Sequence, residues 1–143
     1  MTETYERQPI ARWYPIAAIA SVLFMALGCA VYVMHVTADP ATLPLDQRAA
    51  YAAEPAWLTG LNAVAVWVGV IGAVLLVLKR RLAETLLLVS FVATALWLVG
   101  LFVVPALRDS LSTNDIAVAV IVTLITGTIY SFARHSRQRG WLH

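Results

Sequence analysis

The sequence predicts an all-α fold: an integral membrane four-helix bundle, with N- and C-termini cytoplasmic and a short surface helix in the first outer loop. Three observations lead there. Hydrophobic residues make up 61% of the 143-residue chain and charged residues only 13%, too little polar surface to clothe a soluble domain of this size. The apolar residues fall into blocks at about 13–36, 57–78, 82–104 and 116–133. At about 1.5 Å per residue, each can cross a hydrocarbon core of about 30 Å. The middle of every block is free of Asp, Glu, Lys and Arg, any of which would cost roughly 2.5–3.5 kcal/mol near the bilayer centre. Residues 1–143 therefore read as a single four-transmembrane-helix domain.

Charge orients it. Arg7 and Arg12 precede the first span, Lys79, Arg80 and Arg81 join the second to the third, and Arg134, Arg137 and Arg139 follow the fourth. Only Arg48 and Arg108 lie in the other two loops, which instead hold Asp39, Asp46, Glu54, Asp109 and Asp115. The positive-inside rule then puts both termini and the middle turn in the cytoplasm. The same distribution removes the nucleic-acid reading that a basic pI of about 9.0 invites, because the positive charge flanks spans instead of forming one patch.

The first span opens at Trp13 and Tyr14, rings suited to the headgroup layer, with Pro15 in the first turn, where a missing N–H removes no helical bond. Its one cysteine, Cys29, has no partner in the chain, which excludes thiol oxidoreductases that need a redox pair. Val36-Thr37-Ala38 has the form of a signal-peptidase site and Ala26-Leu27-Gly28-Cys29 that of a lipoprotein box. The apolar run before the first exceeds the usual signal length, and the second has its first two residues in unusual order, so the segment is expected to stay in place. Pro40 and Pro44 end the helix. Between them and Pro55, Leu45 to Glu54 is rich in helix formers and predicts a short surface helix with Leu45, Ala49 and Ala52 on one side. Pro55 and Trp57 start the second span. Lys79-Arg80-Arg81 is a tight turn that makes the second and third spans antiparallel neighbours. Pro105 closes the third span, and Ser112 with Asp115 stands at capping-box spacing before the fourth.

Small residues recur at four-residue intervals, Ala65, Gly69 and Ala73 in the second span and Ala119, Thr123, Gly127 and Ser131 in the fourth. Such stripes predict helix-packing seams, because helices in lipid associate through close packing and not through hydrophobic exclusion. The seam serves the bundle itself, a homo-oligomer or a membrane protein partner.

Chemistry-bearing residues are few. His35 lies at the outer end of the first span, and if that helix ran one more turn Asp39 would share its face at i, i+4. A His–carboxylate pair can relay a proton, bind a metal or sense pH; an interfacial histidine bonded to loop backbone is the plainer expectation. No HxxxH or ExxH spacing supports a metal. His135 and His143 lie past the inner end of the fourth span and cannot face His35, so bis-histidine haem is not expected. Asn62 and Thr94, with Trp67 and Trp97, are the residues that would line a polar path for a sugar-like solute; packing and hydroxyl bonds back to the helix carbonyls are the plainer account. No carboxylate sits in the middle of a span, which disfavours the small proton-coupled drug exporters. The basic, aromatic tail from Arg134 to Leu142 predicts contact with anionic headgroups.

Tyr32-Val33-Met34, then Tyr51, then Pro55-Ala56-Trp57, the Lys-Arg-Arg turn, and the ending Ala133-Arg134 with Arg139-Gly140-Trp141-Leu142 together resemble a widespread bacterial family. Its members are small four-helix inner-membrane proteins of unassigned role, often labelled "sugar transporter". The resemblance spans nearly the whole chain and implies a multi-pass protein of the bacterial inner (cytoplasmic) membrane; it carries no catalytic or binding residue. In the family's pattern a glutamine occupies the third span, where this chain reads Ser90 to Trp97 without one, which weakens any polar site there. The expectation is a non-enzymatic accessory or structural protein, without cofactor or metal, acting through helix–helix and outer-loop contacts. The alternative is a small oligomeric solute transporter.

Overall fold

The computed structural model describes residues 9–142, and of Pro40, Asp46 and Ala50 the backbone alone; Arg7 and His143 lie outside the described residues. The fold is all-α. Among the described residues there is no strand, and the long helices are α1 (Tyr14–Thr37), α3 (Ala56–Val77), α4 (Leu82–Val103) and α6 (Thr113–Gln138), all long and apolar enough to cross a membrane. Two short helices, α2 (Leu45–Ala53) and α5 (Pro105–Ser110), and a 3₁₀ turn at Pro40–Thr42 complete the chain. It is a small multi-pass membrane protein.

Local chemistry sets most boundaries. Pro15 sits in the first turn of α1. Ala38 leaves the helix in an extended conformation, two residues before a proline whose ring bars helical geometry from the residue preceding it. Pro44 and Pro55 stand as N-caps of α2 and α3. Pro105 does more than close α4: it occupies the opening turn of α5. The largest departure from expectation is α6, which begins three residues before 116 and runs five past 133. Its start is set by a full capping box: Ser112 Oγ accepts from the Asp115 N–H at 3.2 Å while Asp115 Oδ2 accepts from the Ser112 N–H at 3.0 Å. Its end continues because residues after Ala133 are helix formers that no longer need lipid around them.

The long helices pack in chain order, α1 on α3, α3 on α4 and α4 on α6. Consequently α3 and α4 are the inner pair, with 28% and 33% of their apolar windows buried against 22% for each outer helix. Two apolar clusters hold the ends. One joins Tyr14, Met25, Leu76, Leu87, Ile129 and Trp141 at the end bearing the termini, and the other joins Leu58, Leu101, Leu107 and Ala119 at the opposite end. Between them runs a layer of small and weakly polar groups. Ser90 Oγ donates to the Ala65 carbonyl at 2.6 Å and Cys29 Sγ to the Val66 carbonyl at 3.4 Å. Outward lie Ile16, Leu23, Leu27, Ile71, Val92 and Leu124, all exposed. On a soluble protein that surface would be an aggregation hazard; in a bilayer it is the face that meets lipid.

Candidate functional site

The chain's polar side chains gather at the two ends of the bundle, and the end opposite the termini is the better formed site. The last turn of α1 brings His35 to the junction of α2 and α3, where its Nε2 lies 2.6 Å from Glu54 Oε2. The Tyr51 ring, from α2, tilts against the imidazole with centroids 5.4 Å apart. With a proton on Nε2 the imidazole donates to the carboxylate, a charge-assisted bond when the ring carries both protons. The partner is therefore Glu54 and not Asp39. Asp39 lies beyond the end of α1 and turns to its own loop, its Oδ1 accepting from the Ala41 N–H at 3.0 Å. The residue before Pro40 cannot extend the helix that would have aligned the i, i+4 pair. Glu54 is 19 residues away in sequence, a separation that helical spacing rules do not reach.

Around this pair the loop is held by its own atoms. Arg48 Nε donates to the Leu43 carbonyl at 2.8 Å and its NH2 nitrogen to the Ala41 carbonyl at 2.6 Å. The short helices α2 and α5 then lie against each other, with Leu107 buried beneath. The result is a cap across that end, presenting Leu45, Gln47, Arg108 and Asp109. Among the described residues no three His, Cys, Asp or Glu side chains come together as metal ligands would; the cap holds one hydrogen-bonded histidine–carboxylate pair.

The residues of the suggested polar path are not brought to one lining. Trp67 is 47% exposed on the apolar outside of α3. Thr94 is buried, and its hydroxyl donates to the Ser90 carbonyl of its own helix at 2.8 Å. Asn62 is half-buried on α3. Trp97 packs in the apolar cluster around Leu58 and Leu101, its Nε1 buried and without a hydrogen-bond partner.

The small-residue seam of α3 is filled from within the chain, and that of α6 only in part. A Cβ on Gly69 would stand 2.7 Å from both Met25 Sδ and Ser90 Oγ, so this glycine lets α1 and α4 close on α3 together. Ala65 and Ala73 are buried on the same face. On α6 the face turned to the bundle is Ala119, Thr126, Ile129, Ala133 and Ser136. Gly127 borders it, 2.9 Å from Phe91 measured from where its Cβ would stand, but Thr123 is only half-buried and Ser131 is exposed. A strict four-residue stripe rotates about 40° per step on a 3.6-residue helix, so the stripe winds off the contact face before it reaches Ser131.

The end bearing the termini holds what sequence reasoning left aside. Tyr14 Oη donates to the Leu76 carbonyl, tying the start of α1 to the end of α3. Glu84, in the first turn of α4 and 14% exposed, takes a 2.6 Å bond from Arg137 in the last turn of α6. In the tail, Arg134, Arg137 and Arg139 are exposed while its last described residues turn inward. Gly140, at φ 74°, turns the chain back, the Trp141 N–H bonds to the Ser136 carbonyl, and Trp141 and Leu142 are buried. Trp141 stands edge-on to Trp13, Tyr14 and His135 at 5.7–5.8 Å. Opposite-charge residues in the first turn of one helix and the last of another were the readable signal for the Glu84 pair; the fold-back of Trp141 was signalled by the glycine before it. No family model, curated protein or solved structure matches the chain, so its function is read from this geometry alone.

Proposed function

We propose that this is a non-enzymatic accessory protein of the bacterial inner membrane that presents its α2–α5 cap, on the outer side, to another integral membrane protein. The observation that carries the reading is the cap itself. A loop bound by Arg48, a buried Leu107 and the His35–Glu54 pair hold two short helices in one arrangement while leaving Leu45, Gln47 and an Arg108–Asp109 pair facing outward. A surface ordered before binding loses less entropy when a partner arrives. Of the two contacts the sequence suggested, the stripes and the outer loop, the second is favoured because Met25 and Ser90 close on Gly69 and Phe91 closes on Gly127 from within the chain. The orientation is supported by Arg12, Lys79, Arg80, Arg81, Arg134, Arg137 and Arg139, all at the opposite end.

Site-specific photocrosslinking in intact cells, followed by mild-detergent purification and mass spectrometry, tests this. A crosslinker in place of Leu45 should capture one discrete membrane protein, and the same group in place of lipid-facing Leu23 should not. Equal capture at both positions, a crosslink only to a second copy of the chain, or uptake of a labelled sugar by liposomes holding the purified protein would overturn it. Alkaline phosphatase fused after Leu111 should be active and fused at the C-terminus inactive; the reverse pattern would invert the orientation.

A further inference from the structure

An open groove of about 70 Å³ runs between the start of α1 and the end of α3, lined by Tyr14, Pro15, Ala18, Ile19, Val77 and Lys79. Sites that enclose a small-molecule ligand occupy roughly 300–1,000 Å³, so this groove can take only a few methylenes of a molecule that lies mostly outside it. Its walls are apolar apart from two groups. The Tyr14 hydroxyl already donates to the Leu76 carbonyl, which leaves Lys79 as the lining residue that brings a positive charge.

Charge at this end is unbalanced. Arg80 and Arg81 follow Lys79, and Arg12 precedes Tyr14, all three exposed. Among the described residues the one carboxylate close by, Glu84, is engaged by Arg137. Among the described residues none of Lys79, Arg80, Arg81 and Arg12 has an acidic partner. Lys79 also holds an unusual backbone position. It ends α3 at φ 57°, with its N–H bonded to the Leu76 carbonyl and that of Arg80 to the Leu75 carbonyl. This is the helix-ending turn that normally carries glycine, as it does at Gly140 on α6. A side chain kept in a strained conformation points to a use for that side chain.

An apolar slot at the end of two spans, with a basic residue in its lining and further basic residues next to it in the chain, matches a molecule that carries an apolar chain and an anionic head at one depth. We propose that the groove seats part of one acyl chain of an anionic phospholipid, whose phosphate is held by Lys79 with Arg80, Arg81 and Arg12 around it. The site is independent of the cap and of any partner bound there.

Native mass spectrometry of the full-length protein, titrated with phosphatidylglycerol and with phosphatidylcholine of the same chains, provides the test. One phosphatidylglycerol should bind in preference to phosphatidylcholine. Lys79→Gln should weaken that first binding about five-fold, while Lys79→Arg preserves it. Val77→Trp, which fills the slot from its lipid-facing rim, should weaken both lipids in a protein of unchanged helix content. Arg134→Gln, on α6 and outside the lining, should leave the first binding unchanged. Equal affinity for the two lipids, an unaltered Lys79→Gln, or an Arg134→Gln that loses as much as Lys79→Gln would overturn the site and leave diffuse attraction at a basic surface.

Discussion

The two ends of this bundle face the same difficulty and meet it differently. Each must finish transmembrane helices in the headgroup layer, where carbonyl groups lose their helical partners. At the end bearing the termini the answer is aromatic and turned inward: Tyr14 reaches a carbonyl of α3, and Trp141 folds back against Trp13, Tyr14 and His135. At the other end the answer is polar and laid outward, with α2 and α5 placed across the bundle and pinned by His35 and Glu54. The first end gains stability from packed rings. The second gains a fixed surface, held by the Arg48 bonds, the buried Leu107 and one part-exposed ion pair. Packed rings and a laid-out polar cap are thus divided between opposite ends of the bundle.

That division can be broken from either side. Trp141→Ala should have the largest effect, a loss of about 3 kcal/mol, because it empties a buried site shared by three other rings. Denaturant unfolding in detergent, followed by circular dichroism, measures it, and a variant within about 1 kcal/mol of the parent would show that the aromatic end is decorative. Glu54→Ala should cost less, about 1 kcal/mol, since the pair is part-exposed and partly screened. Its mark is local: amide exchange should quicken in α2 and stay unchanged near Trp141. Uniform quickening along the chain would mean that the cap is coupled to the whole bundle and is not a separate surface.

The smallest effects compare two helix ends on one side. Gly140→Ala should destabilise by about 1 kcal/mol, whereas Lys79→Gly should stabilise by roughly 0.5 kcal/mol, because the left-handed conformation penalises a Cβ and glycine returns part of the gain as chain entropy. Thermal midpoints in the same detergent would reveal both signs. A destabilised Lys79→Gly would show that the lysine side chain supports the fold itself, apart from any lipid it holds.

Much of this architecture was open to reading from residue order. Four uninterrupted apolar blocks, prolines at 15, 44, 55 and 105, and Ser112 three residues before Asp115 act locally, through length, φ restriction and capping. The site was harder. His35 could be singled out as a histidine at the end of an apolar run, but its partner came from a proline-bounded junction that no helical period reaches. The same holds for the glycines: Gly69 and Gly127 stand out in the sequence, and whether they meet a neighbour inside the chain or outside it is a property of how helices are arranged.

By itself, then, the sequence determined that the chain is an all-α multi-pass membrane protein, where the first three spans start to within a residue, and which short helix lies between the first two spans, because hydrophobic length and backbone restriction act over a few residues. The tertiary structure alone decided that Glu54 meets His35, that Met25 and Ser90 close on Gly69 and Phe91 on Gly127, that Trp141 returns to the bundle, and that Lys79 lines a groove with Tyr14. Those outcomes depend on the rotation and spacing of helices packed in lipid, where close fit and not water exclusion selects the arrangement.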